Sequence, residues 1–299
     1  LKIYSKTVVS VCVITYNQES YILDTIKGIV AQVGDFHMEV IISDDCSTDN
    51  TLNVIHDFFE NFQKRNVTVQ VVSQTKNLGS TRNFFKTLNL ANGEYLAICE
   101  GDDYWTDNSK LLKQIDVLEA NTDCSFCFHK AKILRNGKFD EKSYPEFFKK
   151  NVLNLQEFFE LDSIPTCSIF FRKVDLTFFE SIEHSHGDFL LFCRLCELGK
   201  PYYLNEVMSV YRKHPGGVSF LFSSEVYLKK RIEELKTESN FFNNKNVIEQ
   251  IKISRMKLQY RFFKNYGRNL NIKSKSYQVF NLFTNKYFLL YYLKNKFNL

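Results

Sequence analysis

Four short apolar runs of strand character, separated by three amphipathic helical stretches, occupy residues 8 to 99. Val8 to Thr15 is a β-branched run of the kind buried on both faces of a sheet. Tyr16-Asn17 ends it. A helical stripe of Ile22, Ile26, Ile29 and Val30 predicts a helix from about Ser20 to Gln32. Met38 to Ser43 reads as the second strand and ends in Asp44-Asp45-Cys46-Ser47-Thr48-Asp49-Asn50-Thr51, rich in helix-capping residues. A helix from about Thr51 to Phe62, a strand Val67 to Ser73, a turn at Asn77-Leu78-Gly79-Ser80 and a helix near Thr81 to Leu90 follow. Asn92-Gly93 then turns the chain into a fourth strand, Tyr95 to Cys99. Strand and helix alternating at this spacing mean an α/β fold with a parallel sheet and right-handed crossovers. Polar clusters end strands one, two and four, so they converge on one edge of the sheet, where ligands of open α/β sheets bind.

The cluster after the fourth strand is the densest, with Glu100, Asp102 and Asp103 within four residues. Carboxylates crowded at the end of a buried strand repel one another, which a divalent cation relieves. Mg²⁺ and Mn²⁺ take such oxygen ligands. An acidic turn facing water is the alternative. No G-x-G-x-x-G, G-x-x-x-x-G-K-[ST] or G-x-S-x-G motif is present, which argues against a dinucleotide enzyme, a P-loop NTPase and a serine hydrolase. A helix is expected at Lys110 to Ala120, a strand at Ser125 to Leu134 with a hairpin turn at Arg135-Asn136-Gly137-Lys138, and a strand at Thr166 to Arg172. Gly187-Asp188 opens a helix through Leu198, closed by Gly199, with Asp188 suited to capping. Met208 to Arg212 is strand-like and runs into His214-Pro215-Gly216-Gly217.

Eight cysteines include the pairs Cys124-x-x-Cys127 and Cys193-x-x-Cys196. One lies in a β-like run and the other in a helical one, without a zinc-knuckle context, so reduced, buried thiols of a cytosolic protein are expected over zinc. Val8 to Thr15 is too short for a signal peptide, and no apolar run approaches the ~20 residues of a spanning helix. The expected location is the cytoplasm, with peripheral attachment to the cytoplasmic face of the inner membrane open. The net charge of +5 divides unevenly. Residues 220–299 carry 16 Lys+Arg against 5 Asp+Glu, and the rest 23 against 29.

Taken in order, Ser10 to Asn17, Ile42 to Thr51, Asn77-Leu78-Gly79 with Arg82-Asn83, Glu94 to Asp103, Gly187-Asp188 and Tyr211-Arg212-x-His214 resemble the inverting glycosyltransferases of family 2, of bacterial surface-polysaccharide type. The resemblance covers about residues 8 to 219. It implies a GT-A (Rossmann-like) fold, a mostly parallel central sheet flanked by helices, as a catalytic domain at 1–219; residues 220–299 lie outside it and read as a helical C-terminal extension. It further implies transfer of a hexose or N-acetylhexosamine from a UDP-sugar, UDP-glucose or UDP-galactose favoured, to a glycan hydroxyl. Thr15, Tyr16 and Asn17 would line the nucleotide, with Tyr16 stacked on uracil and Asp45 on its imide edge. Asp44 would shape the turn, and Arg82 would face the nucleotide or its phosphates. Glu100-Gly101-Asp102 occupies the family's Asp-x-Asp position, with Glu100 in place of the usual first Asp. Asp102 would hold Mn²⁺ or Mg²⁺ through the diphosphate, Asp103 would fix the loop or touch the sugar, and His214 would complete the metal shell or contact the diphosphate. Asp188 would be the catalytic base of a single displacement.

The basic, aromatic tail suits an anionic membrane surface and a lipid-linked oligosaccharide acceptor. It equally suits a helical cap or a dimer contact. Nucleic-acid binding is not expected. A nucleotidyltransferase and a non-catalytic sugar-nucleotide-binding scaffold are the competing readings. The first lacks its glycine- and lysine-rich loop, and the joint presence of Asp102 and Asp188 argues against the second.

Overall fold

The computed structural model describes residues 8–144, 150–161, 164–221 and 224–266. The chain divides into two compact units, the first ending at His214 and the second beginning at Pro215.

In the first unit, β1 (Val8–Thr15), β2 (His37–Asp44), β3 (Val67–Ser73) and β4 (Tyr95–Ile98) are parallel, in spatial order β3-β2-β1-β4. Their order follows from crossovers through α1 (Ile22–Val30), α2 (Thr51–Phe59) and α3 (Ser80–Leu90). Beyond β4 the sheet turns mixed. β8 (Phe170–Arg172) is antiparallel to β4, β6 (Cys124–Arg135) antiparallel to β8, β9 (Lys200–Lys213) parallel to β6, and the two-residue β5 (Tyr104–Trp105) antiparallel to β9. β7 (Lys138–Tyr144) closes a hairpin on β6 through the expected turn, where Asn136 and Gly137 both have positive φ. The helices α4 (Lys110–Ala120), α5 (Leu155–Phe159) and α6 (Gly187–Leu198) complete the unit.

The apolar pattern explains the core. Val9, Val11 and Val13 of β1 and Val40 and Ile42 of β2 join Ile22, Ile26 and Ile29 of α1 in one buried cluster. Each such side chain contributes roughly 1.5–3 kcal/mol by burial. Gly199 ends α6 with extended backbone rather than a left-handed turn. A Cβ there would stand 2.8 Å from the Ser125 nitrogen, so close approach to β6 is what requires glycine.

Three expectations need correction. The strand predicted over Thr166 to Arg172 is split: Thr166–Ser168 is a 3₁₀ turn in which the Ser168 N–H and hydroxyl both donate to the Pro165 carbonyl, and only Phe170–Arg172 is strand. β9 begins eight residues before the predicted Met208. Its register shifts opposite His129, Lys130 and Ala131 broke the alternation that marks a strand. Helix α2 stops at Phe59 rather than Phe62. None of the eight cysteines forms a disulfide, and all but Cys46 are buried.

In the second unit α7 (Glu225–Glu238) packs on α8 (Lys245–Tyr266) through Leu228, Ile232 and Phe262. Ser224 caps α7, its hydroxyl accepting from the Tyr227 N–H. Arg231 of α7 is buried and pairs with the buried Glu234 and Glu238. Lys229 and Lys236 pair with Glu225 and Glu233 on the same helix. Among the described residues no helix is long and apolar enough to cross a membrane. The aromatic stretch Tyr277 to Phe297 lies outside the described residues.

Candidate active site

The parallel register brings the ends of β1, β2 and β4 side by side. Thr15 pairs with Asp44, the Asp45 N–H donates to the Thr15 carbonyl (2.9 Å), and the Gly101 N–H donates to that of Ile14 (2.9 Å). Thr15 therefore stands between Asp45 and the Glu100-Gly101-Asp102 segment. Gly101 fits only because it has no side chain: a Cβ would lie 2.8 Å from Thr15 Oγ1 and 2.9 Å from Thr15 Cβ.

The Ser/Thr/Asp-rich segment after β2 does more than cap α2. The Asn17 N–H donates to Ser47 Oγ (2.8 Å), and Asn17 Oδ1 accepts from the Thr48 N–H (2.8 Å). The Gln18 N–H donates to Thr51 Oγ1 (2.8 Å). The two loops at the sheet edge are thus stitched together, with Asn17 and Cys46 held at positive φ. Tyr16, just before Asn17, is 45% exposed. Asp44 is buried and accepts from the Ser47 N–H (2.8 Å) and hydroxyl, the turn-shaping role expected of it. Asp45 is also buried, and its two oxygens accept from the N–H groups of Leu78 (2.7 Å) and Gly79 (3.0 Å). It anchors the Asn77-Leu78-Gly79 loop, a task the sequence did not announce, and each oxygen keeps a second lone pair. Arg82 is exposed on α3 and pairs loosely with Glu183 at 3.7 Å.

The acidic cluster lies against β9. Asp103 is buried; its Oδ1 accepts from the Arg212 N–H (2.8 Å), and its Oδ2 has no partner. Glu100 Oε2 is likewise buried without one. Burial, then the charge of Asp102, raise the Asp103 carboxyl well above its usual range, with Glu100 adding to the effect. Burial, joined by the charges of Asp102 and Asp188 and opposed by the Thr166 hydroxyl, which supports the charged form, raises Glu100 to about 8. Asp102 Oδ2 meets His214 Nε2 at 3.0 Å, both groups partly buried. Two orphaned carboxylate oxygens in a cluster that resists ionisation fit a bound cation. Among the described residues no three His, Cys, Asp or Glu side chains form a full ligand set. Asp102 and His214, at 3.0 Å, are the two side chains here that could hold an ion together.

Asp188 lies within the first turn of α6, while the N-cap position belongs to His186. Gly187 sets this helix end tightly on α3, where a Cβ would approach Phe84 Cδ1 to 3.1 Å. The charge of Asp188 adds to the rise of Glu100. The site residues missed in the sequence are Arg212, Tyr21 and Thr166. Tyr211-Arg212-x-His214 was visible as a motif, but nothing in it gave Arg212 a task. Arg212 Nη1 donates to the Asp102 carbonyl (2.8 Å), and its guanidinium lies 4.4 Å from the Tyr104 ring centroid.

Residues 10–179 match the profile of the family described as Glycosyl transferase family 2. An uncharacterized Mycobacterium tuberculosis protein, Rv1520, is 34% identical over 209 residues, covering 70% of this chain and 60% of that protein. The chain thus spans less than two thirds of that relative. Bacillus subtilis TuaG, a glycosyltransferase named for teichuronic acid biosynthesis, is 36% identical over 123 residues, 41% of this chain and 46% of its own. The structure of Staphylococcus aureus TarS 1–349 in complex with UDP-GlcNAc superposes with a TM-score of 0.66 at 19% identity, over 89% of this chain and 77% of that one. This likeness shows a shared GT-A fold with helices after the sheet.

Proposed function

The chain belongs to glycosyl transferase family 2, and we propose that it is an inverting transferase moving a hexose or N-acetylhexosamine from a UDP-sugar to a hydroxyl of a glycan acceptor. The observation that supports this best is the meeting of two segments distant in sequence, Asp102 after β4 and His214 after β9, at 3.0 Å, with Asp188 on α6 acting by its charge on Glu100. TarS crystallised with UDP-GlcNAc supports a uridine donor. TuaG, named for teichuronic acid, supports an acceptor in surface-polysaccharide assembly, and we read that acceptor as lipid-linked.

In this reading Tyr16 stacks on uracil and Asp45 accepts from its imide N–H with a remaining lone pair. Thr15 and Asn17 line the nucleotide, Arg82 faces the phosphates, and Glu100 reaches the ribose. Asp102 and His214 would hold Mn²⁺ or Mg²⁺, which would supply charge neutralisation for departing UDP. Asp103 keeps the loop in place through Arg212. The acceptor hydroxyl attacks the anomeric carbon opposite UDP and gives its proton to the Asp188 carboxylate. One C–O bond forms as the C–O bond to UDP breaks, so the configuration inverts without a covalent enzyme intermediate. The basic residues of α8 and the tail beyond it would hold the enzyme on an anionic membrane surface.

The test is UDP release from a panel of UDP-glucose, UDP-galactose and UDP-N-acetylhexosamines with Mn²⁺, with Mg²⁺ and with EDTA. Cation-dependent release from one donor is expected. Neither release nor UDP binding under any condition would refute the assignment.

A further inference from the structure

Asp102 lies near the middle of the first unit's sequence and His214 at its end, yet their side chains meet at 3.0 Å. Around them stands a frame of side chains that take no part in the bond changes of the proposed reaction. Arg212, at the end of β9, donates from its backbone N–H to Asp103 and from Nη1 to the Asp102 carbonyl, each at 2.8 Å. Its Nη2 pairs with the Asp24 carboxylate on α1. Its guanidinium lies 4.4 Å from the Tyr104 ring centroid and 5.2 Å from that of Tyr21. Its side chain is only 10% exposed. The Tyr21 ring in turn meets the His214 ring, with centroids 4.8 Å apart and planes tilted by 41°. Tyr21 itself is fixed where the chain enters α1, its N–H donating to the Gln18 carbonyl (2.9 Å).

We infer that Tyr21 and Arg212 are positioning residues that preset Asp102 and His214 to receive a nucleoside diphosphate and its divalent cation together. The inference rests on the reading of that pair given above. Arg212 holds the main chain at Asp102 and the carboxylate of Asp103, two residues before His214. Tyr21 carries the same frame to the imidazole. A planar guanidinium suits this task because it donates in fixed directions while its faces stack on rings. Lysine cannot do both. Tyr21 acts through its ring, since its contacts to Arg212 and His214 are both made by the ring.

The experiment is calorimetric titration of the full chain with UDP, in Mn²⁺ and in EDTA. Wild type is expected to gain affinity with Mn²⁺. Tyr21→Leu and Arg212→Lys should lose ~10–100-fold of that gain, the usual effect of removing a residue that orients a metal ligand, with affinity in EDTA unchanged. Tyr21→Phe should keep the gain. In a His214→Ala background, Tyr21→Leu should add no further loss, because the two act through one contact. Emission from Trp105, the chain's single tryptophan, checks that each variant is folded. Tyr21→Leu binding Mn²⁺ and UDP like wild type, or losing affinity equally in Mn²⁺ and EDTA, would overturn the inference. Wild type that binds no UDP, or gains nothing from Mn²⁺, would overturn the underlying reading and the inference with it, and that result is seen before any variant is made.

Discussion

Replacing Gly101 by alanine perturbs the site with a single methyl group. The new Cβ would lie 2.4 Å from Gln18 Oε1, 2.8 Å from Thr15 Oγ1 and 2.9 Å from Thr15 Cβ. The glutamine oxygen is the far end of a flexible side chain and can move, at the loss of its hydrogen bond from Thr15 Oγ1 (2.8 Å). Such a bond is worth about 0.5–1.5 kcal/mol. Thr15 cannot move in the same way. Its carbonyl accepts from the Asp45 N–H, and the Ile14 carbonyl before it accepts from the Gly101 N–H. Overpacking against a fixed backbone costs about 1–3 kcal/mol. Together they put the destabilisation at roughly 1.5–4.5 kcal/mol. Urea denaturation followed by Trp105 emission measures it, and calorimetry measures the accompanying loss of UDP affinity as Glu100 and Asp102 shift. Gly137→Ala is the control. Its φ of +75° imposes strain, but no atom lies within 4 Å of the new methyl. It should cost about 1–2 kcal/mol and leave UDP affinity untouched. A Gly101→Ala protein as stable as wild type, with unchanged UDP affinity, would refute the steric argument.

Asp45→Asn leaves one of the Leu78 and Gly79 N–H groups facing an amide donor. A loss of about 1.5–3 kcal/mol in denaturant stability is expected, with weaker UDP binding by calorimetry. Arg82→Ala removes an exposed, loose ion pair, so stability should change by about 0–1 kcal/mol while affinity for UDP falls and that for uridine does not. Lys110 is buried with its ammonium 3.9 Å from the Trp105 ring centroid and bonded to Gln114, and burial lowers it to about 8. Between about 8 and 10.5 the unfolded chain therefore binds more protons than the folded one, and this group's contribution to stability rises with pH. Lys110→Met should abolish that rise, read as the difference between wild-type and variant urea midpoints at pH 7.5 and 9.5; parallel pH curves would contradict it.

The half of the fold that was most legible in the sequence is the half built from parallel strands. Val8 to Thr15 and Met38 to Ser43 are buried on both faces, so their apolar runs are continuous, and the helix between them repeats isoleucine at helical spacing. Legibility failed where tertiary context overrides local preference. Thr166 to Ser168 has strand-like residues but follows Pro165, whose carbonyl collects the turn's hydrogen bonds. β5 is two residues long and exists only because β9 pairs with it. In the site, Tyr16, Asp45, Glu100, Asp102, Asp188 and His214 could be named because each follows a strand or opens a helix in a quoted motif. The frame behind them could not. Asp24, Tyr21 and Arg212 obey no spacing rule, and they meet only after α1 and β9 have packed on the same loop. The second task of Asp45, holding Leu78 and Gly79, was hidden for the same reason.

The central claim is that Asp188 takes the acceptor's proton. The most direct measurement is sugar transfer by Asp188→Asn beside its calorimetric affinity for UDP. The amide keeps the side chain's size and cannot accept the proton as a carboxylate does. UDP affinity like that of wild type, with transfer reduced ~10²–10⁴-fold, is predicted. Transfer at the wild-type rate would remove Asp188 from the mechanism and contradict the account.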